Sequence, residues 1–214
     1  MNYSQDSYLS RTGFIVENIQ KKGTQLKILD IGCVGEGNTI HPHIVEKTTA
    51  NFSSYMGMDI DPDITKMKSP HNVIYKQMSI YDLDKVEEMK ERFDVIILAE
   101  VLEHLQDTFR ALTSLRSALA KDGILIITYP NPFSLKPFIK FALTEDPLSD
   151  KQVQSFCGCP EHIYIPALPV FHKYLKSVGL IIHEVGYLKP HLRFFKIFRK
   201  FSPNLGLIVK KQSM

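Results

Sequence analysis

Seven short apolar runs divide this chain of 214 residues. Several of them are apolar throughout, as in "FDVIILA" (93–99) and "GILIIT" (123–128), and do not alternate with polar residues. Continuous apolar runs of this length are typical of parallel strands that are covered on both faces. The remaining strand candidates are residues 27–31, 54–59, 72–76, 180–185 and 206–210.

Amphipathic segments lie between these strand candidates. One apolar stripe at helical spacing follows residue 99, with Asp107 in its first turn. It consists of Leu105, Phe109, Leu112, Leu115 and Leu119. A second stripe precedes Gly179 and consists of Val170, Phe171, Tyr174, Leu175 and Val178. Strands that alternate with helices predict an α/β fold with a doubly wound sheet.

Residues 130–165 and 186–205 interrupt this alternation. The first segment is rich in proline and aromatic residues and follows the fifth strand, at the edge where open α/β sheets bind ligands. We predict that it is an inserted lid or substrate region. The second segment has basic and aromatic residues and no acidic one, which predicts a basic aromatic hairpin or helix. It would face an anionic or lipid-linked substrate or a membrane surface, or simply bury its aromatics and solvate its lysines.

Length and composition predict a single domain over residues 1–214, located in the cytoplasm. A chain of this length can bury a core without staples. Its three cysteines have no disulfide-framework spacing. The start of the chain has no leader pattern, and no apolar run reaches the ~18 residues that a bilayer requires. The net charge of +3 is too small to argue by itself for a nucleic-acid partner, which we do not expect.

The stretch "ILDIGCVGEGN" (28–38) ends one strand and opens a glycine-rich turn. Its glycines do not have the spacing of the dinucleotide fingerprint, and no phosphate-loop pattern follows. Asp30 at the strand tip would repel a pyrophosphate, so it suits a ligand with positive charge and no phosphate, or else it caps the turn. S-adenosylmethionine is such a ligand. The histidines of "HPH" (41–43), just past the turn, are expected at the surface of a helix start.

Three segments resemble motifs of class I S-adenosylmethionine-dependent methyltransferases. They are "LDIGCVGEG" (29–37), "YMGMDIDP" (55–62) and "FDVIILAEVLEHL" (93–105). Two further segments, "PNPFSL" (130–135) and residues 160–180, resemble a branch that includes the ubiquinone-biosynthesis O-methyltransferases. The resemblance covers about residues 25–210. It implies a Rossmann-like sheet of seven strands, the last of them antiparallel, with helices on both faces.

The resemblance also implies S-adenosylmethionine as the cofactor. Asp30 would meet its ammonium group, and Asp59 would accept both ribose hydroxyls, since the competing Asp61 in "DP" reads as a helix start. Either Ser79 or Asp82 would receive the adenine amino group. The implied cofactor residues are Asp30, Gly32, Cys33, Gly35, Asp59, Ile60, Ser79, Ile80, Asp82 and Glu100.

The segment "EVLEHL" (100–105) carries the catalytic candidates Glu103 and His104. Methyl transfer mainly requires alignment, and a base helps only if the acceptor is a hydroxyl. His104 can be that base, or a histidine that packs and hydrogen-bonds at a helix start. The segment also resembles the Mg²⁺-binding segment of small-RNA 2′-O-methyltransferases, whose ligands would correspond to Glu100, Glu103, His104 and His162. Because "PEHIYIP" lacks that family's paired histidines, we expect no metal.

We therefore predict an S-adenosylmethionine-dependent methyltransferase that acts on a small-molecule or lipid-linked acceptor, with oxygen as the favoured acceptor atom. Three alternatives stay open. They are a metal-dependent RNA 2′-O-methyltransferase, a nucleotide-binding oxidoreductase and a catalytically silent methyltransferase fold that serves as a binding module. The last is kept open because Val34 stands where the first motif has a glycine, and because a fold does not fix a function.

Overall fold

A single mixed sheet forms the centre of the protein. The computed structural model describes residues 2–3, 10–34, 40–135, 139, 143, 162–188 and 200–212. The strands are β1 (Asn2–Tyr3), β2 (Leu26–Ile31), β3 (Phe52–Asp59), β4 (Val73–Gln77), β5 (Phe93–Ala99), β6 (Leu119–Pro130), β7 (Leu180–Leu188) and β8 (Asn204–Lys211). Their order across the sheet is β1-β7-β8-β6-β5-β2-β3-β4.

All seven predicted strands form, and the two-residue β1 is added at the edge beside β7. β8 is antiparallel to both of its neighbours, while the other pairs are parallel. The predicted Rossmann-like sheet with an antiparallel last strand is thus confirmed. The prediction of seven strands missed only β1, which is too short to leave an apolar pattern.

Helices cover both faces of the sheet, as predicted. The α-helices are α1 (Arg11–Lys22), α2 (Ile40–Thr48), α3 (Thr108–Ala118) and α4 (Leu168–Ser177). Short 3₁₀ helices span Pro62–Lys66, Ile80–Lys85, Glu87–Met89 and Leu102–His104. No helix in the described ranges has the length and apolar character needed to cross a membrane.

The continuous apolar strands are explained by two separate cores. Along β5, Val95 and Ile97 belong to the core under α1 and α2, whereas Ile96 and Leu98 belong to the core under α3 and α4. Successive side chains of a strand point to opposite faces, so a strand that is buried on both sides is apolar along most of its length.

The predicted apolar faces of α3 and α4 are partly wrong. Phe109 is 50% exposed, and Val170 and Tyr174 are exposed as well. Leu105 precedes α3 and Leu119 begins β6, although both are buried. Each helix has only about three turns, so it buries the narrow stripe that faces the sheet and leaves the flanks to solvent. Asp107 is the N-cap of α3, where it accepts the Arg110 N–H at 2.8 Å.

Phe14 seats α1 on the sheet in a notch made by two glycines. Gly186 of β7 and Gly206 of β8 are direct partners across the antiparallel pair. A Cβ atom would lie 2.8 Å from the Phe14 ring at Gly186 and 2.7 Å from it at Gly206. The ring fills the space that these two residues leave, and this contact fixes the start of α1 relative to the sheet.

The two inserted segments are joined at their roots by Asn131. Its buried side-chain amide donates to the carbonyls of Lys200 (2.9 Å) and Ser202 (2.8 Å), and its backbone N–H donates to Pro203 (2.8 Å). Of the predicted basic aromatic segment, residues 186–188 belong to β7 and 204–205 to β8. Residues 189–199, and most of the predicted lid, lie outside the described residues.

Gly206→Ala tests the notch. The added methyl group should push Phe14 outward and lower the free energy of unfolding by about 1–3 kcal/mol, as overpacking does elsewhere. Phe14→Leu removes ring atoms from the same space, so the double variant should be more stable than the sum of the two single effects. Urea unfolding of the four proteins measures this coupling. Additive effects would show that Phe14 does not occupy the notch.

Candidate functional site

Three carboxylates reach the same edge of the sheet. Asp30 lies near the end of β2, Asp59 is the last residue of β3, and Glu100 follows β5 directly. β2 lies between β3 and β5, so the strand order reverses at this point. Open α/β sheets bind their ligands at such a switch point, outside the carboxyl ends of the strands.

The turn after β2 requires glycine at position 32. Gly32 has a φ of +75°, its N–H donates to the Met58 carbonyl at 2.9 Å, and a Cβ atom there would collide with the Val101 side chain. Cys33 is buried, and burial followed by the charges of Asp30 and Asp59 raises the pKa of its thiol. Its side chain is therefore an inert thiol, and only its backbone remains for a ligand. Gly35 lies outside the described residues.

Asp59 is held in place by backbone donors. Its Oδ2 accepts the Val34 N–H at 2.8 Å, and its Oδ1 accepts the Asp61 N–H at 3.0 Å. A carboxylate has about four acceptor positions, so each oxygen keeps capacity for one hydroxyl. Asp61, the competing candidate, caps the 3₁₀ helix that follows by accepting the Asp63 N–H at 2.8 Å. Asp59 is therefore the better placed of the two.

The residues predicted around the adenine lie beside Asp59. Ile60 is 70% exposed, whereas Ile80 is buried. The backbone carbonyl of Asp59 accepts the Met78 N–H at 2.9 Å, which brings the chain after β4 next to this edge. The Ser79 hydroxyl accepts the Tyr81 N–H at 3.3 Å and caps a 3₁₀ helix, and Asp82 forms a 2.6 Å ion pair with Lys85. Their predicted contact with adenine stays a prediction.

Asp30 is buried in a polar network that sequence reasoning missed. Its Oδ2 accepts the Tyr55 hydroxyl at 2.7 Å and lies 2.6 Å from Nδ1 of His41. The expectation that His41 lies at the surface is wrong, since it is 2% exposed, whereas His43 is exposed. One signal was available in the sequence. His41, Ile44, Val45 and Thr48 follow helical spacing, and all four are buried.

Glu100 forms an ion pair with Arg11, the first residue of α1, at 2.6 Å. The backbone of Glu100 has a φ of +57°, a conformation that is costly for a residue other than glycine and that clusters at functional sites. Arg11 was not a sequence candidate. It joins the site because Ser10 caps α1 and Phe14 seats it, so the first turn of the helix reaches the end of β5.

Glu103, His104 and His162 meet just beyond Glu100. Burial, followed by the charge of Glu100, raises the pKa of Glu103 to about 8. Its Oε1 lies 3.7 Å from Nε2 of His162, and the rings of His162 and His104 make an edge-to-face contact at 4.8 Å. The ligand atoms of the three residues lie within 4.8 Å of one another, a spacing that could hold a metal ion. The expectation of no metal stays a prediction.

Buried polar atoms without a hydrogen-bond partner gather at this edge. Among the described residues, they include Oε1 of Glu100, both carboxyl oxygens of Glu103, the Thr128 hydroxyl and the Tyr129 hydroxyl. The Thr128 backbone carbonyl accepts the Glu100 N–H, so the residues that carry these atoms lie at the adjacent ends of β5 and β6. Because buried polar groups are normally satisfied, this concentration indicates a place prepared for ligand atoms.

Comparisons with known proteins identify the family of the chain. Residues 7–185 match the family model described as a methyltransferase domain. The chain belongs to this family. Together with the fold, this confirms the predicted class I methyltransferase, and S-adenosylmethionine is the methyl donor of that class. The description of the family model names no methyl acceptor.

One curated relative is a ubiquinone biosynthesis O-methyltransferase of Glaesserella parasuis. It is 30% identical over 114 residues, which are 49% of this chain and 45% of the relative. The chain thus spans about half the length of the curated relatives it matches.

Two solved structures share the fold at low sequence identity. An S-adenosylmethionine-dependent methyltransferase from Mesorhizobium loti has a TM-score of 0.65 at 14% identity, with 94% of this chain and 98% of that chain covered. Another from Archaeoglobus fulgidus has a TM-score of 0.61 at 18% identity and 94% coverage of each chain.

Glu103→Gln tests the state of the buried carboxyl. Between its ordinary pKa of 4.5 and about 8, the folded protein holds a proton that the unfolded chain has lost. The free energy of unfolding therefore falls as the pH rises through this window. The variant should lose this slope and exceed the wild type in stability at about pH 8, by on the order of a few kcal/mol.

Urea unfolding at about pH 5 and about pH 8 measures the effect. The exposed Glu88→Gln should keep the wild-type slope. A Glu103 variant with the wild-type slope would show that the carboxyl ionises normally in the folded protein.

Proposed function

We propose that the protein transfers a methyl group from S-adenosylmethionine to a hydroxyl of a small acceptor that is lipid-linked or anionic. The observation that carries the proposal is the convergence of Asp59, Glu100 and the turn at Gly32 at one sheet edge. Asp59 offers a carboxylate to the ribose hydroxyls, and the ion pair of Glu100 with Arg11 offers both charges to an amino-acid group. The turn at Gly32 lets the backbone approach the ligand closely. The methyltransferase family of the chain supports the same cofactor.

The methionine part of the cofactor carries an ammonium and a carboxylate on one carbon. The pair of Glu100 and Arg11 offers the complementary charges at hydrogen-bond distance from each other. Glu100 has a buried oxygen without a partner in the described part of the chain, which an ammonium could satisfy. We assign the ammonium to Glu100 together with Asp30, and the carboxylate to Arg11.

The nucleoside would follow the edge from β2 toward β4. Asp59 would accept the two ribose hydroxyls with the acceptor positions that Val34 and Asp61 leave. The adenine would lie against Ile60, whose apolar side chain is 70% exposed. The edge of the adenine ring would meet the start of the 3₁₀ helix after β4, which carries Ser79, Ile80 and Asp82.

S-adenosylmethionine supplies a methyl group on a sulfonium that is already an activated leaving group. The chain's own residues then have to align the acceptor and accept its proton. His104 is exposed beside the site and is the group that we assign to that proton. Burial raises the pKa of Glu103 to about 8, which favours its protonated form at neutral pH, so we assign Glu103 to the support of the neighbouring histidines and not to proton acceptance.

The surroundings of the edge support an apolar acceptor. Within the predicted lid, exposed large apolar residues are Phe133, Ile139, Leu143 and Ile163. Asn131 ties the start of that lid to the end of the basic segment, so the two segments share one anchor. A relative that methylates oxygen in ubiquinone biosynthesis supports the same acceptor class.

Asp59→Asn should weaken S-adenosylmethionine binding by about ten- to a hundredfold, since hydrogen bonds to a charged acceptor are lost. Isothermal titration with S-adenosylmethionine and S-adenosylhomocysteine measures this. Asp63→Asn, an exposed carboxylate in the next turn, should bind like the wild type. Equal affinity of the Asp59 variant and the wild type would refute the ribose assignment.

The proposed acceptor class can be tested with one catechol, supplied both as a small molecule and as a lipid-linked molecule. We expect methyl transfer to a catechol that carries a polyprenyl tail to be faster than transfer to the same catechol without it, because the exposed apolar residues gain burial. His104→Ala should slow the reaction, and the addition of a chelator should leave it unchanged. Transfer to nitrogen or carbon acceptors only would contradict the proposal, and loss of activity with the chelator would establish a metal in place of the metal-free site.

A further inference from the structure

We propose that His41 is a positioning residue of the cofactor site, and that it fixes the orientation of the Asp30 carboxylate beneath the glycine turn. The inference rests on the proposed use of S-adenosylmethionine and adds a residue outside the motifs of the chain. It is built on four side chains that form one network: Asp30, His41, Tyr55 and Tyr75.

The hydrogen bonds of this network run in one direction. A carboxylate only accepts, so both Tyr55 and Nδ1 of His41 must donate to the same oxygen, Oδ2 of Asp30. Nε2 of His41 lies 3.0 Å from the Tyr75 hydroxyl. Burial raises the pKa of both tyrosines, so each keeps the proton that it donates. When Tyr75 donates to Nε2 of His41, every hydrogen bond of the network points toward Asp30.

The start of α2 favours this arrangement of charge. His41 is the second residue of the helix, where the free N–H groups and the helix dipole favour an anion and disfavour a cation. The helix start therefore favours a carboxylate as the partner of the His41 ring. Two donated hydrogen bonds fix the orientation of this carboxylate, which is only 3% exposed.

The network is also rigid and close to the turn. The His41 ring makes edge contacts with Tyr55 and with Tyr75, each at 5.6 Å between ring centres and 63° between planes. Gly57 makes room for Tyr75, since a Cβ atom there would lie 2.6 Å from the Tyr75 ring and 2.9 Å from the sulfur of Cys33. The tyrosine that supports His41 thus packs at the back of the turn that would receive the methionine part.

The fixed orientation of the Asp30 carboxylate would serve the binding of the cofactor ammonium. Oδ2 of Asp30 is occupied by two donors, so an ammonium would be met by Oδ1, whose direction the other two bonds set. Without the histidine, the buried carboxylate loses one of the two side-chain donors that the described residues give it, and its orientation is no longer fixed. Cofactor affinity then depends on a hydrogen-bond donor at the position of Nδ1, and not only on a side chain that fills the space.

Four variants separate the donor from the volume. His41→Asn keeps an N–H near the position of Nδ1, His41→Leu keeps the bulk without a donor, and His41→Gln carries its N–H near the position of Nε2. His43→Leu is the matched control in the same helix, with an exposed side chain. Each protein is titrated with S-adenosylmethionine after its folding is checked by circular dichroism.

We expect His41→Leu to bind about tenfold more weakly or worse, and His41→Asn to stay within about threefold of the wild type. ¹⁵N spectra of the histidine rings should show His41 as the neutral tautomer with its proton on Nδ1. Equal affinity of His41→Leu and the wild type would overturn the inference, and so would an asparagine variant as weak as the leucine variant.

If His41→Leu does not fold, the test is the difference in S-adenosylmethionine affinity between His41→Asn and His41→Gln. The asparagine variant should bind more tightly, and equal or reversed affinities overturn the proposal. Absence of binding to the wild type is a different result, because it removes the proposed cofactor itself.

Discussion

Burial on both faces is the constraint on which the rest of this structure depends. β2, β5 and β6 carry apolar side chains toward two separate cores, so their polar residues lie mostly near the strand ends. Chemistry is confined to where these strands end, and parallel strands end together. Asp30, Asp59 and Glu100 are therefore brought to one edge by strand direction alone, before any loop contributes.

Much of this could be predicted from the sequence, because strand burial leaves a pattern that needs no tertiary information. "FDVIILA" gave the bounds of β5 without error, and the acids at strand tips follow from their places next to such runs. Helix faces were less predictable. The apolar stripes that contain Phe109 in α3 and Val170 in α4 have helical spacing. How much of each stripe is buried depends on the neighbouring elements, which the spacing alone does not reveal.

The contacts that complete the site could not be predicted because they join distant elements. Arg11 meets Glu100 only after Phe14 has found its notch between two glycines on other strands. His41 differs from His43 in nothing local except helical phase, yet one lies in the core and the other in solvent. His162 reaches Glu103 because the Glu103 carbonyl accepts the N–H groups of Ile163 and Tyr164. Such pairings are decided by packing.

Asn131 gives the two inserted segments a common foundation. One buried amide and one backbone N–H hold the start of the first segment to the end of the second, on the side of the sheet away from Asp59. In the proposed site, the nucleoside end would be built from the scaffold alone, and the acceptor end from two segments that share an anchor. Relatives that differ in acceptor should accordingly exchange both segments as one module, and a graft of either segment without its mate would disturb the anchor before it changed specificity.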